Sequence, residues 1–263
     1  MNVRDLCNAL LSRFPVQNAE PWDHVGLSVG NPADEVKAVV CALDATEENV
    51  LHTVELGANV LLTHHPVYIK APDAFTPATS ELPSSAAAVY TAARMGVSII
   101  SLYTNLDRSL EARMKLPALM GFSAESSLEY ADDPERLGLG SLCRCPDMTL
   151  EALAKRASDI FETRARVWGD VSRNLQSVAF LGGSLGDFGE LAVRAHVDAV
   201  VTGECGYHVV QDLCARGLCV VLLGHDRSEQ PFCAILSAAA CDAGVPQDRI
   251  HIISHPSTWW TVA

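Results

Sequence analysis

The chain places imidazoles and carboxylates just after apolar runs. Val60-Leu61-Leu62-Thr63 leads into His64-His65-Pro66, and Leu218–Leu223 leads into Gly224-His225-Asp226-Arg227-Ser228-Glu229. Val97–Tyr103 leads into Thr104-Asn105-Leu106-Asp107. An α/β protein delivers reactive groups to the carboxyl edge of its sheet in this way. Pro66 bars its segment from continuing as a central strand, and it favours a turn at the two histidines. On a helical turn His225 and Glu229 share a face, roughly 6 Å apart along the axis. His64, His65, Asp107, His225 and Glu229 together form a mixed imidazole and carboxylate set. Such a set suits zinc, iron, manganese or nickel, with carboxylates as the usual bridges between two ions. Two ions ~3.5–4 Å apart would activate a bridging hydroxide at neutral pH.

Each of these residues also has a plainer reading. Adjacent strand residues point to opposite faces, so His64 and His65 suit one buried, hydrogen-bonded imidazole beside an exposed one. The His225/Glu229 spacing suits a surface ion pair. Asp107 suits an N-cap for a helix over Arg108–Leu119. Glu204 and His208, close to another strand end, are candidates for supporting the ligands from behind or for substrate contact, or for a plain surface pair. Gly182–Asp187 precedes a helix and offers backbone donors to a phosphate, but it lacks the full G-x-G-x-x-G or Walker pattern, so a tight turn is expected there. His24, His52, His196, His251 and His255 have no evident partners and are read as structural. Trp259-Trp260 suggests a packed tail or a subunit contact.

The elements that must position these groups follow from periodicity and from turn residues. Leu6, Ala9, Leu10 and Phe14 fit an amphipathic helix over residues 2–14. Pro21–Leu27 reads as a loop with a buried anchor. Strands are expected at Val36–Leu43, Asn59–Thr63 and Val97–Tyr103. Helices are expected from Thr46 to Gly57 and over Ser84–Met95, with glycine as the stop in each case. Lys70–Pro83 reads as a surface loop. Such strand–helix–strand units favour parallel sheets with right-handed crossovers. The acidic, turn-rich Glu129–Glu135 reads as a linker. The same grammar then repeats, with strands at Leu137–Cys145, Gln176–Leu181, Ala199–Thr202, Leu218–Leu223 and Arg249–Ile253. Helices fall at Leu150–Phe161, up to His196, Gly206–Arg216 and 231–242. Two α/β units, 1–128 and 129–263, result, with C-terminal elements free to pack back on the first. A site between two such halves is the natural expectation.

The chain has 263 residues, 49% of them hydrophobic and 19% charged, as in a packed globular protein. Its formal charge of −13 argues against nucleic-acid binding, which needs a basic face. No apolar run approaches the ~18 residues of a membrane span, and Met1–Asp5 lacks the blocks of a signal peptide, so a cytoplasmic location is expected. Nine cysteines without a CxxC pair read as reduced thiols.

Five segments, in this order, resemble the Nif-three-like dinuclear metal-centre family, often named GTP cyclohydrolase I type 2 homologues. They are Trp22-Asp23-His24-Val25-Gly26-Leu27, Thr63-His64-His65-Pro66, Thr104-Asn105-Leu106-Asp107, Val201-Thr202-Gly203-Glu204 and Gly224–Glu229. The resemblance implies two related, intertwined three-layer α/β/α units with mixed, largely parallel sheets and the metal site in the cleft between them. It implies two divalent ions per subunit and places the family's ligands on His64, His65, Asp107, His225 and Glu229. It further implies a toroidal homohexamer and a metal-dependent hydrolase acting on a nucleotide or cyclic amide, with Glu204 or His208 moving protons. The alternative is a non-catalytic metal-handling protein or an oligomeric scaffold. Three positions depart from the family's pattern. Tyr103 stands where a histidine is usual, His24 where an asparagine is, and Leu185 where a glycine is common.

Overall fold

The computed structural model describes residues 1–254 and Trp259. His255 and Trp260 lie outside the described residues. In chain order the regular elements begin with α1 (Val3–Arg13), β1 (Gly26–Val29), β2 (Val39–Ala42), α2 (Glu47–Glu55) and β3 (Val60–Thr63). Next come α3 (Ser84–Met95), β4 (Ser98–Ser101), α4 (Thr104–Asp107), α5 (Leu110–Leu119) and β5 (Ala124–Ser126). They continue with β6 (Ser141–Thr149), α6 (Leu150–Ile160), β7 (Arg166–Trp168), β8 (Asn174–Ser184) and α7 (Phe188–Arg194). The last are β9 (Ala199–Glu204), α8 (Tyr207–Ala215), β10 (Cys219–Leu222), α9 (His225–Glu229), α10 (Phe232–Asp242) and β11 (Ile250–Ile252). No described helix is long and apolar enough to cross a membrane.

The chain divides into two compact units. The first comprises Met1–Leu106 and Phe232–Pro256, and the second Asp107–Pro231 and Ser257–Ala263. The first unit is therefore interrupted: the chain leaves it, builds the second, and returns with α10 and β11.

The sheet of the first unit has the order β1-β4-β3-β2-β11. All its pairings are parallel except the antiparallel edge pair of β1 with β4. Every residue of β2, β3 and β4 is buried, as expected of parallel strands covered on both faces. Val40, Leu61, Ile99, Val50 and Ala88 pack into one core cluster. Local signals set the helix ends. Asn2 and Asp5 close a capping box on α1, and Thr46 Oγ1 accepts from Asn49 N at 3.1 Å to start α2.

The second unit's sheet runs β5-β6-β8-β9-β10-β7. Its central strands β8, β9 and β10 are parallel, and its flanking pairs are antiparallel. Both sheets are thus mixed, with parallel centres. Ala179, Leu181, Val200, Val220 and Leu213 form the core here. Glu129, at the start of the expected linker, lies inside this unit. Its carboxylate accepts from Arg108 Nε at 2.9 Å and from Leu139 N at 2.9 Å. Burial opposes ionisation of Glu129, but these donors outweigh it and hold its pKa below the ordinary value.

Three sequence expectations need correction. The cap of α5 is Ser109, whose Oγ accepts from Ala112 N at 3.1 Å, whereas Asp107 closes the preceding short helix α4. Gly182-Gly183 does not end its strand in a tight turn, because β8 continues through to Ser184 with an irregularity between Leu181 and Ser184. In Pro21–Leu27 the indole of Trp22 is 49% exposed, and the anchor is polar: Asp23 Oδ2 accepts from both Thr104 N and Thr104 Oγ1. None of the nine cysteines, all among the described residues, is in a disulfide.

Candidate metal-binding residues

The parallel register carries the first pair of ligand candidates. Ala42 stands opposite Thr63, and His65 N donates to Leu43 O at 2.9 Å, so the two chains stay side by side past the strand ends. The same continuation brings Asp44 to His65, with Asp44 Oδ1 2.8 Å from His65 Nδ1. His64 is fully buried. Its Nδ1–H donates to the Leu102 carbonyl at 3.0 Å. A carbonyl only accepts, so this bond fixes the tautomer and leaves Nε2 with the lone pair. The two rings lie 5.1 Å apart, centroid to centroid, and a ring nitrogen of each lies within 4.8 Å of the other.

Tyr103 meets both rings edge-on, at 5.3 Å from each. Trp22 packs on its other side at 5.9 Å, and Asp23 holds the next residue, Thr104. The Trp22-Asp23 segment therefore acts as a clamp on the turn that follows β4.

In the second unit, the end of β10 turns at Gly224 into α9. His225 faces two carboxylates, with Nδ1 3.0 Å from Glu204 Oε1 and Nε2 3.0 Å from Glu229 Oε2. Glu229 is only 3% exposed. Burying a carboxylate is costly unless positive charge compensates it, and either an imidazolium or a metal cation at that imidazole would do so. Glycines make the close approach feasible. A Cβ on Gly183 would overlap Glu229 Oε1 and lie 3.2 Å from His225 Nε2. A Cβ on Gly203 would come within 2.8 Å of the His225 Cα. Ser228 ties the turn together by accepting from Gly183 N at 2.9 Å and donating to His225 O at 2.8 Å.

The residues singled out from sequence thus fall into local groups. His64 lies beside His65, and His225 lies between Glu204 and Glu229. Asp107, half-buried, ends α4. Glu204 and His208 do not pair: Glu204 ends β9 and turns to His225, while His208 is exposed on α8 beside Tyr207. Sequence reasoning missed the roles of Asp44 and of the Leu102 carbonyl. Asp44 had a signal, since it follows β2 as His65 follows β3, and in-register parallel neighbours put the two side by side.

The donor set fits a borderline divalent cation. Glu229, His64 and His65 are among the side chains able to hold a metal ion. Each candidate histidine has Nδ1 within hydrogen-bond distance of an oxygen that accepts. That arrangement orients metal-ligating imidazoles and leaves Nε2 for the ion.

Comparison with known proteins gives a consistent family picture. A family model described as Duf34/NIF3 (NGG1p interacting factor 3) matches residues 1–253. A Streptomyces coelicolor protein named GTP cyclohydrolase 1 type 2 homolog is 30% identical over 276 residues, covering 98% of this chain and 93% of that protein. A Clostridium acetobutylicum protein of the same name is 30% identical over 241 residues, covering 90% and 88%. Among solved structures, a Bacillus cereus protein related to NIF3 superposes with a TM-score of 0.87 at 20% identity, over 100% of this chain and 99% of that one. A Staphylococcus aureus hypothetical protein gives 0.86 at 22% identity with the same coverage.

Proposed function

Because the chain belongs to the DUF34/NIF3 family, we propose that it binds two divalent metal ions through His64, His65, Asp107, His225 and Glu229, and that it uses them to hydrolyse a nucleotide or cyclic amide. The supporting observation is the shared orientation of three imidazoles. His64, His65 and His225 each turn Nδ1 to an oxygen acceptor, which is the preparation a metal ligand needs. Asp107 and Glu229 supply the negative charge that hard and borderline cations require. When bound, such ions acidify water and polarise an electrophilic carbon. Glu204 is exposed and within hydrogen-bond distance of His225, which supports a role for it in exchanging protons with solvent. The curated relatives' name suggests a purine nucleotide as the first substrate to try. We propose a toroidal homohexamer as the assembly and the cytoplasm as the location.

Tyr103 favours a second reading. Its phenol stands edge-on to both His64 and His65 where the resemblance places a histidine. A phenol is a poorer neutral ligand than an imidazole. Binding without turnover, as in a metal-handling protein or an oligomeric scaffold, fits that replacement.

The deciding experiment is elemental analysis of untagged protein together with a nucleotide turnover screen. We expect about two ions per chain, drawn from zinc, iron, manganese or nickel. His64→Ala and Glu229→Gln should each lose at least half of that content. GTP turnover that needs no metal and survives His64→Ala would refute the hydrolase reading. Metal content without turnover of any nucleotide would favour the second reading.

A further inference from the structure

Trp259 carries a role that neither the family resemblance nor the proposed chemistry assigns. Helix α9 has five residues and no side-chain N-cap. It is preceded by Gly224, at φ +103°, where a glycine has its greatest conformational freedom. The indole of Trp259 lies across this position. A Cβ built on Gly224 would lie 3.0 Å from Trp259 Cζ2 and 3.5 Å from Cη2, so the ring covers the face that the missing side chain leaves open. Trp259 Nε1 donates to Asp226 Oδ1 at 3.3 Å. The residues on both sides of His225 are therefore touched by one aromatic side chain.

We propose that Trp259 is a positioning residue for His225: its ring holds the Gly224–Asp226 turn so that the imidazole keeps Nδ1 on Glu204 and Nε2 toward Glu229. The main chain of the turn is held by Gly224 N to Gly203 O at 2.8 Å, Ser228 N to Gly224 O at 3.1 Å and Gln230 N to Asp226 O at 2.9 Å, and by Ser228 Oγ on His225 O, but none of these bonds covers the open face of Gly224. The planar ring adds its packing on that face. Packing rather than the long hydrogen bond carries the effect, so phenylalanine should substitute and alanine should not. The proposal deepens the metal-binding reading, but one arm of its test does not depend on metal.

That arm uses metal-free protein with 15N-labelled imidazoles, observed by long-range 1H–15N correlation. Wild type and Trp259→Phe should show a hydrogen-bonded His225 Nδ1 signal, assigned by its loss in His225→Ala. Trp259→Ala should shift that signal to an averaged, solvent-exposed position while leaving the His64 signal in place. If Trp259→Ala does not fold, Trp259→Leu, which keeps bulk without a flat ring, must show the same loss. A wild-type His225 signal in a folded alanine or leucine variant overturns the proposal.

The second arm measures affinity for a single added divalent metal. Loss of an orienting partner typically costs 10–100-fold, so we expect Trp259→Ala to bind about tenfold more weakly and Trp259→Phe to match wild type. In a His225→Ala background Trp259→Ala should have no further effect, because the coupling runs through that imidazole. An undiminished effect in that background overturns the proposal. Wild type that binds no metal refutes the proposed function and leaves the ring signal to decide the role of Trp259.

Discussion

His64, His65 and His225 show how much a candidate site owes to residues other than its proposed ligands. An acceptor at one ring nitrogen orients an imidazole, and here a carbonyl and two carboxylates stand in those places. The candidate ligands were legible in the sequence because they sit where apolar runs end. Their orienting partners were not, because Leu102 contributes a backbone oxygen that any residue would supply. Asp44 becomes meaningful only once strand register is known. The glycines follow the same pattern. Gly183 has φ +63°, and its missing side chain leaves room for Glu229 Oε1. Gly183→Ala adds both a backbone cost of about 1–2 kcal/mol and an overlap with that carboxylate. We expect the variant to fold with a lower unfolding free energy by denaturant titration. We also expect it to retain less than half of the wild-type metal content. Normal metal loading with only the stability loss would separate the glycine's backbone role from its role at the carboxylate.

At the scale of elements, the central strands, the longer helices and the edge strand β11 were readable, and the other short edge strands were not. β2, β3 and β4 are apolar on both faces, which leaves a continuous signal. β1, β5 and β7 are three or four residues long and each has partly exposed positions. They pair antiparallel at or near the sheet margins and carry no periodic pattern to find. The reach of β8 past two glycines was hidden because glycine reads as a turn, whereas here it serves a bulge beside Glu229. The acidic stretch after β5 shows the opposite error. Its charges suggested a solvated linker, yet Glu129 is tied to Arg108 and to Leu139 N. That tie gives a pH-dependent prediction. Glu129 has a lowered pKa in the folded protein, so its contribution is complete above its unfolded value of about 4.3 and is lost as the pH falls through the lower folded value. Glu129→Gln should cost roughly 2 kcal/mol at pH 7. The difference from wild type should shrink on acidification below about pH 4.3. Denaturant melts of both proteins across pH 3–7 would check this, and a gap that stays constant across that range would rule the explanation out.

At the scale of the whole molecule, metal binding and stability are linked. An ion that binds only the folded chain stabilises it by about 2.7 kcal/mol at a free concentration 100 times its Kd. We expect calorimetric melting of metal-loaded protein to shift downward when a chelator is added, and His64→Ala to show little further shift. A wild-type melting temperature indifferent to chelator would mean that the ligands do not hold metal under those conditions. The interruption of the first unit carries another consequence, which concerns biosynthesis. β11 adds to β2 in parallel, Ile250 opposite Val39, and α10 packs beside that strand. A ribosome must therefore emit all of Asp107–Pro231 before the sheet begun at its outset can be finished. The nascent chain carries an unsatisfied β2 margin until β11 emerges, while the intervening stretch already holds every described strand of its own sheet. The later-begun sheet is thus the first that can be completed, and the earlier-begun one waits for the chain to return.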